Sequence, residues 1–315
     1  MQDNDDNRNE DLHNHEIDLR ELFHVLLKGK WLIVSVTSFV SILAVLYSLS
    51  LPNIYQSQAL LVPVKPSQSF SGALENYSGL ATLAGVSLPT QSTDNNAVKA
   101  IEKLNSLSFF EENFMPNIFL PNLMAIESWD SKNNVLNFKK EIYDLTSKTW
   151  VRDFFYPQKL IPSSQESFKI FKAKHLSISE DKKTGFIIIA IKHQSPYVAK
   201  RWTELLINEI NTFYRLEDKA KAEKAVMYLN AQISKTSFAE IKQVIAGLLQ
   251  QETQKLTLIE ANDSYVFDYI DPPAVMERKI EPKRSLICVF GALLGGILGL
   301  LIVLIQHYIF RKKFT

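Results

Sequence analysis

Two stretches decide the fold of this chain: WLIVSVTSFVSILAVLYSLSL at Trp31–Leu51 and LICVFGALLGGILGLLIVLIQHYIF at Leu286–Phe310. A helix that crosses the hydrocarbon core of a bilayer needs about 20 consecutive apolar residues. The first stretch has no charged side chain, and Gln306 and His307 interrupt the second only near its end. The sequence therefore predicts one transmembrane helix near each end, with the more polar segment Pro52–Ser285 between them.

Two other interpretations of these stretches are weaker. A core helix of a soluble protein rarely stays uncharged over such a length. A cleaved signal peptide begins with a short basic region and has an apolar stretch of about 7–15 residues. Here residues 1–30 precede the first stretch, their start is acidic, and the stretch itself is too long. A retained signal anchor fits it better.

Basic residues near the two stretches predict the orientation. Lys28 and Lys30 precede the first stretch, and Arg311, Lys312 and Lys313 follow the second. Because basic flanks favour the cytoplasmic side, both termini are expected in the cytoplasm. The expected plan is a cytoplasmic tail (1–30), a transmembrane helix (31–51), a periplasmic domain (52–285), a second transmembrane helix (286–308) and a cytoplasmic tail (309–315).

Composition narrows the class of protein. The formal net charge is +1, so charge gives no reason to expect nucleic acid as a partner. The single cysteine, Cys288, lies in the second apolar stretch, so the segment between the stretches has no disulfide. This composition fits a bacterial periplasmic domain better than a disulfide-dense extracellular module.

Several segments between the stretches predict strands. Ile54–Val64 leads directly out of the first stretch, and Ser264–Ile270 alternates before Pro272. Lys174–Ser179 and Phe186–His193 predict a hairpin around the turn Asp181–Gly185, and FIIIAIK has the β-branched content of a central strand.

Other segments predict helices. Asp94–Phe110 and Leu136–Trp150 have partly apolar faces, and Asp94 is expected to cap the first of them. Ser195 as cap and Pro196 as first residue open a long helical pattern that continues to about Ala261. Two interpretations of that pattern stay open: one rod that packs beside neighbouring subunits, or two ordinary helices joined near Ser234–Ser237 in a monomer. The low-complexity stretch Ser67–Asn96 predicts either a mobile loop with one anchoring apolar patch or a segment that contacts a neighbouring subunit or the membrane surface.

Sequence motifs for catalysis are missing. The chain has no GxxxxGK[ST], CxxC, HExxH or GxSxG pattern, and we expect no enzyme activity, no cofactor and no metal. His13 and His15 lie in the tail, two residues apart, which does not place them on one helix face. His175 and His193 lie on the two hairpin strands and are interpreted as surface histidines, with a metal-binding pair as the alternative.

Three glycines stand out in the second apolar stretch. Gly291, Gly295 and Gly299 form two overlapping GxxxG motifs. Small residues four apart allow another helix to approach closely. We expect these glycines to pack against the first helix or a neighbouring subunit, although glycine is common enough in membrane helices for chance to produce the motif.

Segments at both ends of the chain resemble a known family. EIDLREL (16–22) with KGKW (28–31), the strand IYQSQALLVP (54–63) and DYIDPPAVMERKIEPKRSLI (268–287) all follow the same order in the O-antigen chain-length determinants. Pro272, Pro273 and Pro282 match the proline-containing approach to the second helix. These determinants are the Wzz-type polysaccharide co-polymerases of bacterial inner membranes. The resemblance covers both ends well and the middle only in its architecture.

The resemblance implies an α+β membrane protein. Two transmembrane helices would flank a periplasmic domain with a small, membrane-proximal mixed sheet and a long extended helix. It also implies a ring-like homo-oligomer that regulates the chain length of O-antigen or a related lipid-linked polysaccharide beside the glycan polymerase, without an active site.

Two departures leave alternatives open. The middle helical region is often longer in the family, and Ser67–Asn96 is similar to a loop in relatives that serve capsule or exopolysaccharide export. A co-polymerase of that second kind, without a kinase domain, is the first alternative. A two-helix sensor is a more distant one, since the tails 1–30 and 309–315 offer little room for an output module.

Overall fold

A computed structural model describes residues 19–64, 96–262 and 264–312. The chain forms two compact units. An apolar unit contains Met1–Asn53 and Ile280–Thr315, and an α/β unit contains Ile54–Lys279. His13, His15 and the predicted cap Asp94 lie outside the described residues, as does nearly all of the low-complexity stretch.

The elements follow one another in an α+β order. The α-helices are α1 (Leu19–Lys28), α2 (Lys30–Ser50), α3 (Asn96–Leu104), α4 (Leu107–Phe109), α5 (Pro121–Met124), α6 (Ser164–Ile170), α7 (Pro196–Lys235), α8 (Ala239–Ala261) and α9 (Arg284–Lys312). The strands are β1 (Tyr55–Pro63), β2 (Ile126–Asp130), β3 (Val135–Phe138), β4 (Tyr143–Asp144), β5 (Thr149–Trp150), β6 (Leu176–Glu180), β7 (Ile187–His193) and β8 (Phe267–Asp271).

Four strands form the main sheet, in the order β6–β7–β1–β8. The hairpin β6–β7 is confirmed, and its turn ends at Gly185 with φ +71°. The expectation of a mixed sheet is wrong, because every pair in this sheet is antiparallel. Strands that run in the same direction are not neighbours in this sheet: β1 lies between β7 and β8, and β7 lies between β6 and β1.

The core of the α/β unit lies between this sheet and the first half of α7. Alternate residues of β1, Ala59 and Leu61, are fully buried, as expected for a strand with one face in a core. Trp202 and Ile210 of α7 belong to the same cluster. Aromatic side chains also fill this core, and the ring centroids of Phe114 and Phe171 lie 4.6 Å apart.

The helix predicted over Leu136–Trp150 is wrong, because this segment forms β3 and the short pair β4–β5. Asp144 accepts hydrogen bonds from the amide of Thr146 (2.9 Å) and the hydroxyl of Ser147 (2.7 Å), which closes an Asx turn. Lys148 then takes a positive φ of 56°. Such local side-chain bonds offer the backbone an alternative to a helix.

The helix predicted over Asp94–Phe110 is interrupted. α3 ends at Leu104, and a new helical turn starts after Ser106, whose hydroxyl accepts a hydrogen bond from the amide of Phe109 at 3.3 Å. The break allows Phe109 and Phe110 to enter the core, where both are almost completely buried.

The long helical pattern is two helices, so the break predicted near Ser234–Ser237 is confirmed. The number of subunits stays a prediction. α7 ends at Lys235, and Thr236 and Phe238 have extended backbones before α8 begins. The hydroxyl of Thr236 donates to the carbonyl of Gln232 at 3.0 Å, so it occupies a helix-end acceptor. The two helices run back along one another, with an ion pair between Lys219 and Glu260.

The first helix of this pair is nevertheless long. α7 has 40 residues, which corresponds to about 60 Å at 1.5 Å per residue. Its buried residues lie between Pro196 and Asn211, apart from Ala222. The rest of α7 packs mainly on α8, so the helix pair extends beyond the core of the sheet.

Asn211 joins α7 to β8 and generates a prediction. Its amide donates to the carbonyl of Phe267, and its Oδ1 accepts from the amides of Val266 and Phe267, all at 2.9 Å. Asn211→Ala would leave these buried backbone groups unpaired, and we expect a loss of about 2–4 kcal/mol of unfolding free energy. Urea unfolding of the full-length protein in detergent measures it.

Asn230→Ala is the matched control, since Asn230 lies on the same helix and is exposed. An equal effect of the two substitutions would contradict the assignment of Asn211 as the attachment of β8.

Candidate functional site: the apolar helix pair

The apolar unit is built around two antiparallel helices. α2 and α9 are both long and apolar enough to cross a membrane. Their direction follows from the contacts, since Gly291, Gly295 and Gly299 face successively earlier residues of α2. All three glycines are buried, whereas most large side chains of both helices are exposed.

The three glycines line the contact between the helices, which we call the glycine seam. A Cβ added at Gly295 would lie 3.0 Å from the Cα of Thr37, and one at Gly299 would lie 3.0 Å from the Cα of Ile33. A Cβ at Gly291 would overlap the Cβ of Ala44. A close approach of two backbones is the property for which small residues are used in membrane helices.

The hydroxyl groups of Thr37 and Ser41 are satisfied within α2. The hydroxyl of Thr37 donates to the carbonyl of Ile33 at 2.8 Å, and that of Ser41 donates to the carbonyl of Thr37 at 2.7 Å. Such bonds allow serine and threonine to lie in an apolar helix without an unpaired polar group.

One contact of the helix pair escapes the sequence pattern. Gly29, between α1 and α2, faces Val303 of α9, whose methyl groups would be 2.5 and 2.7 Å from an added Cβ. In the sequence this glycine stands outside any GxxxG motif, so spacing alone gives no signal for it.

The three prolines do not form one site. Pro273 is buried in the α/β unit, and the next residue, Ala274, accepts a hydrogen bond from the hydroxyl of Ser57 at 2.8 Å. Pro272 is exposed beside it. Pro282 belongs to the apolar unit, follows a cis peptide bond, and accepts from the amide of Arg284 at 3.0 Å. A role for these prolines stays a prediction.

His175 and His193 meet, but the interpretation as surface histidines is wrong. Their ring centroids are 5.9 Å apart, and His193 is 1% exposed against Trp202. His193 is the last residue of β7, which is central and covered by α7. His175 is not on a strand as predicted but ends a short π-helical turn, Phe171–His175, directly before β6. Among the described residues, no group of three or more His, Cys, Asp or Glu side chains is placed to hold a metal ion.

Backbone groups hold the ring of His193. Its Nδ1 accepts from the amide of Ser195 at 2.9 Å, and its Nε2 lies 3.1 Å from the carbonyl of Asn122, to which it donates. Ser195 thus precedes α7 as predicted but makes no side-chain cap. Burial, with a smaller effect from His175, lowers the pKa of His193 to about 4.

The glycine seam generates a prediction with an internal control. Gly295→Ala should force α2 and α9 apart, because its Cβ meets backbone atoms of Thr37. Gly296→Ala should be tolerated, since the nearest atom is 4.0 Å away. We expect Gly295→Ala to lose about 1–3 kcal/mol of unfolding free energy. Thermal unfolding in detergent compares them, and equal stability would contradict a packing role.

The buried histidine generates a pH prediction. The pKa of native His193 is about 4, below the 6.5 of an unfolded histidine. The unfolded chain therefore binds more protons between these values, and stability should fall as the pH drops through this window. The expected contribution of His193 is about 2 kcal/mol between pH 7 and pH 5.

Urea unfolding followed by tryptophan fluorescence at the two pH values measures this effect. In His193→Gln the loss between pH 7 and pH 5 should shrink, whereas in His24→Gln, which changes an exposed histidine, it should persist. The same pH dependence in both variants would contradict the prediction, because it would mean that His193 binds its proton equally in the folded and the unfolded chain.

Comparisons with known proteins agree with the resemblance seen in the sequence. Residues 15–114 match the sequence profile of the family described as "Wzz: Chain length determinant protein". No curated protein sequence matches the chain.

Two solved structures are similar at low identity. A full-length bacterial polysaccharide co-polymerase is 14% identical, with 93% of this chain and 99% of that chain covered and a TM-score of 0.41. A fragment of WzzB, a polysaccharide co-polymerase from Salmonella Typhimurium, is 12% identical, with 73% of this chain and 100% of that chain covered and a TM-score of 0.30. At TM-scores below 0.5, neither structure establishes the fold of this chain.

The family match covers the basic approach to α2, α2 itself, β1 and the helices that follow, up to Phe114. It supports a chain-length-regulating co-polymerase, which is the function that the sequence predicts. The expected resemblance to this family is therefore confirmed over residues 15–114.

Proposed function

We propose that this protein is a non-enzymatic co-polymerase of the bacterial inner membrane that sets the chain length of O-antigen or a related lipid-linked glycan. It would act as an oligomeric scaffold beside the glycan polymerase. The observation that carries the proposal is the family match over residues 15–114. Two apolar helices, one before and one after the α/β unit in the sequence, support it.

The proposed topology has two crossings. α2 and α9 span the membrane, both termini lie in the cytoplasm, and residues 52–285 form the periplasmic domain. Exposure of large side chains supports the crossings: Phe39 is 63% exposed and Leu298 is 47% exposed. A core helix of a soluble protein would bury such residues, whereas lipid covers them in a membrane. Lys28 and Lys30 support the orientation.

The proposed assembly is a ring-like homo-oligomer. The α7–α8 pair exposes large apolar side chains beyond the core of the sheet. They include Leu216 (56%), Met227 (64%), Tyr228 (64%), Phe238 (68%) and Ile241 (43%). Two helices alone cannot cover these residues, and exposed apolar surface of this kind marks protein contacts. A neighbouring copy of the same helix pair would cover it.

The experiment deletes the gene in its host and separates the surface polysaccharide on a gel. Loss of the preferred length, with recovery by the wild-type gene, is the expected result. The variants Tyr228→Lys and Asn230→Lys then test the scaffold. Tyr228 and Asn230 are both exposed on α7, but only Tyr228 belongs to the apolar surface.

We expect Tyr228→Lys to lower the mass of the complex in detergent and to broaden the length distribution, because a charge there opposes burial. Asn230→Lys should change neither. An unaltered glycan ladder after deletion would refute the chain-length function, and a stable wild-type monomer in detergent would refute the scaffold. A change in capsule or exopolysaccharide instead of O-antigen would identify the glycan.

A further inference from the structure

Three aromatic side chains meet at one end of the main sheet. The ring centroid of Trp129 lies 5.4 Å from that of Tyr55 and 6.5 Å from that of Tyr197. Tyr55 is the first residue of β1, Trp129 belongs to β2, and Tyr197 lies in the first turn of α7. Three segments that are far apart in the sequence each contribute one ring, and we call the group the Tyr–Trp cluster.

The Tyr–Trp cluster lies outside the core of the α/β unit and reaches the surface. Tyr55 and Trp129 are half-buried, and Tyr197 is 51% exposed. The buried rings of the core are mostly phenylalanine, which has no polar atom. Each ring of the cluster instead has a polar tip, and the indole N–H of Trp129 donates to Asn134 Oδ1 at 3.0 Å. The cluster therefore combines an apolar surface with polar atoms at its edge.

The end of α2 lies a short distance along the chain before this cluster. α2 has 21 residues, which is about 31 Å of helix and matches a hydrocarbon core about 30 Å thick. Asn53 follows three residues after α2, and its Oδ1 accepts from Nη2 of Arg284, the first residue of α9, at 3.2 Å. Asn53 thus lies beside the ends of both apolar helices, which is the headgroup layer in the crossing proposed above.

The chain from Asn53 keeps the cluster close to that layer. Tyr55 is two residues after Asn53, and two residues span at most about 7 Å. The headgroup layer on each side of a bilayer is about 5–8 Å thick. Because the ring of Trp129 contacts Tyr55 and the ring of Tyr197 lies next to Trp129, the same short link holds all three rings near the lipid headgroups.

The types of side chain in the cluster fit this position. Tyrosine and tryptophan are enriched where a membrane meets water, because one end of each ring system is apolar and the other is polar. A neighbouring copy of the chain would also cover such rings. The bilayer is the favoured partner, because the two-residue link from Asn53 keeps the cluster beside the bilayer in every copy, whatever the assembly.

We propose that Tyr55, Trp129 and Tyr197 contact the lipid headgroup layer of the bilayer on the side where α2 ends. The contact would hold the start of β1 and the start of α7 against the membrane surface. The proposal rests on the membrane crossing proposed above and does not depend on the glycan function.

The experiment measures tryptophan fluorescence of the full-length protein in nanodiscs. The probe is phosphatidylcholine with bromine near the headgroup end of its acyl chains, compared with the same lipid without bromine. Tyr197→Trp and Tyr228→Trp add one tryptophan each at exposed tyrosines of α7, 31 residues or about 46 Å of helix apart. We expect bromine to lower the added emission about two-fold or more at position 197 and to leave it unchanged at position 228.

Two further variants use the native tryptophans. Trp129→Phe should reduce the share of wild-type emission that brominated lipid quenches, and this variant keeps an aromatic ring in the cluster. Trp31→Phe tests the crossing separately, because Trp31 lies in the first turn of α2 and is 79% exposed. Acrylamide, a quencher in water, shows whether a ring that lipid does not quench is open to solvent.

The outcomes separate this contact from the crossing and from the glycan function. Quenching by brominated lipid at Trp31, but at neither position 129 nor position 197, would overturn the contact and leave the crossing intact. Absence of quenching at all three positions would overturn both. Protection of position 197 from acrylamide without quenching by lipid would identify a neighbouring copy as the partner and overturn the lipid contact. An unchanged glycan ladder after gene deletion would refute the glycan function alone.

Discussion

The pairing of β1 with β8 is the constraint on which the α/β unit depends. β1 is the first strand after α2, and β8 is the last strand before α9. Because the two strands are antiparallel neighbours, the start of β1 and the end of β8 lie at the same side of the sheet. The hydrogen bond from Ser57 to the carbonyl of Ala274 continues this contact past the end of β8. All other elements of the unit are therefore inserted between two chain segments that remain together, and Asn211 fixes the second segment to α7.

The two units are stabilised by different forces. In the α/β unit, side chains such as Phe114 and Trp202 leave water and fill a core, which the hydrophobic effect favours. In the apolar unit the pattern is reversed, with glycines buried and leucines exposed. In the membrane location proposed for these helices, the surrounding lipid is as apolar as leucine, so helix contact has to come from close backbone packing. The buried glycines of α9 fit helix contact by close backbone packing. A soluble two-helix unit would not combine such glycines with so much exposed apolar surface.

Features with a strong local signal could be predicted from the sequence. The two apolar helices, the β6–β7 hairpin and the start of α7 at Pro196 follow from periodicity, glycine and proline, which act within a few residues. Features in which local hydrogen bonds compete with a helical sequence pattern could not be predicted. Between Leu136 and Trp150, the hydrogen bonds to Asp144 outweigh a moderate helical pattern. At Thr236, the bond from its hydroxyl to a helix carbonyl and the reversal of the chain outweigh continuation of the α7 helix.

Contacts between distant segments were also beyond the sequence. The burial of His193 depends on Asn122 and Trp202, and the contact of Gly29 with Val303 joins opposite ends of the chain. The mixed sheet was wrongly expected because strand direction alone does not give strand order, and β1 separates β7 from β8.

The out-and-back path of α7 and α8 makes the reach of this protein adjustable. The two helices leave the sheet and return to it, so equal insertions of whole turns in both would preserve the strands at their base. Seven residues added to each helix would extend the tip by about 10 Å while keeping the same faces in contact. The length of the α7–α8 helix pair is thus independent of the geometry of the four-stranded sheet, and a designer could change the length of the pair without rebuilding the sheet.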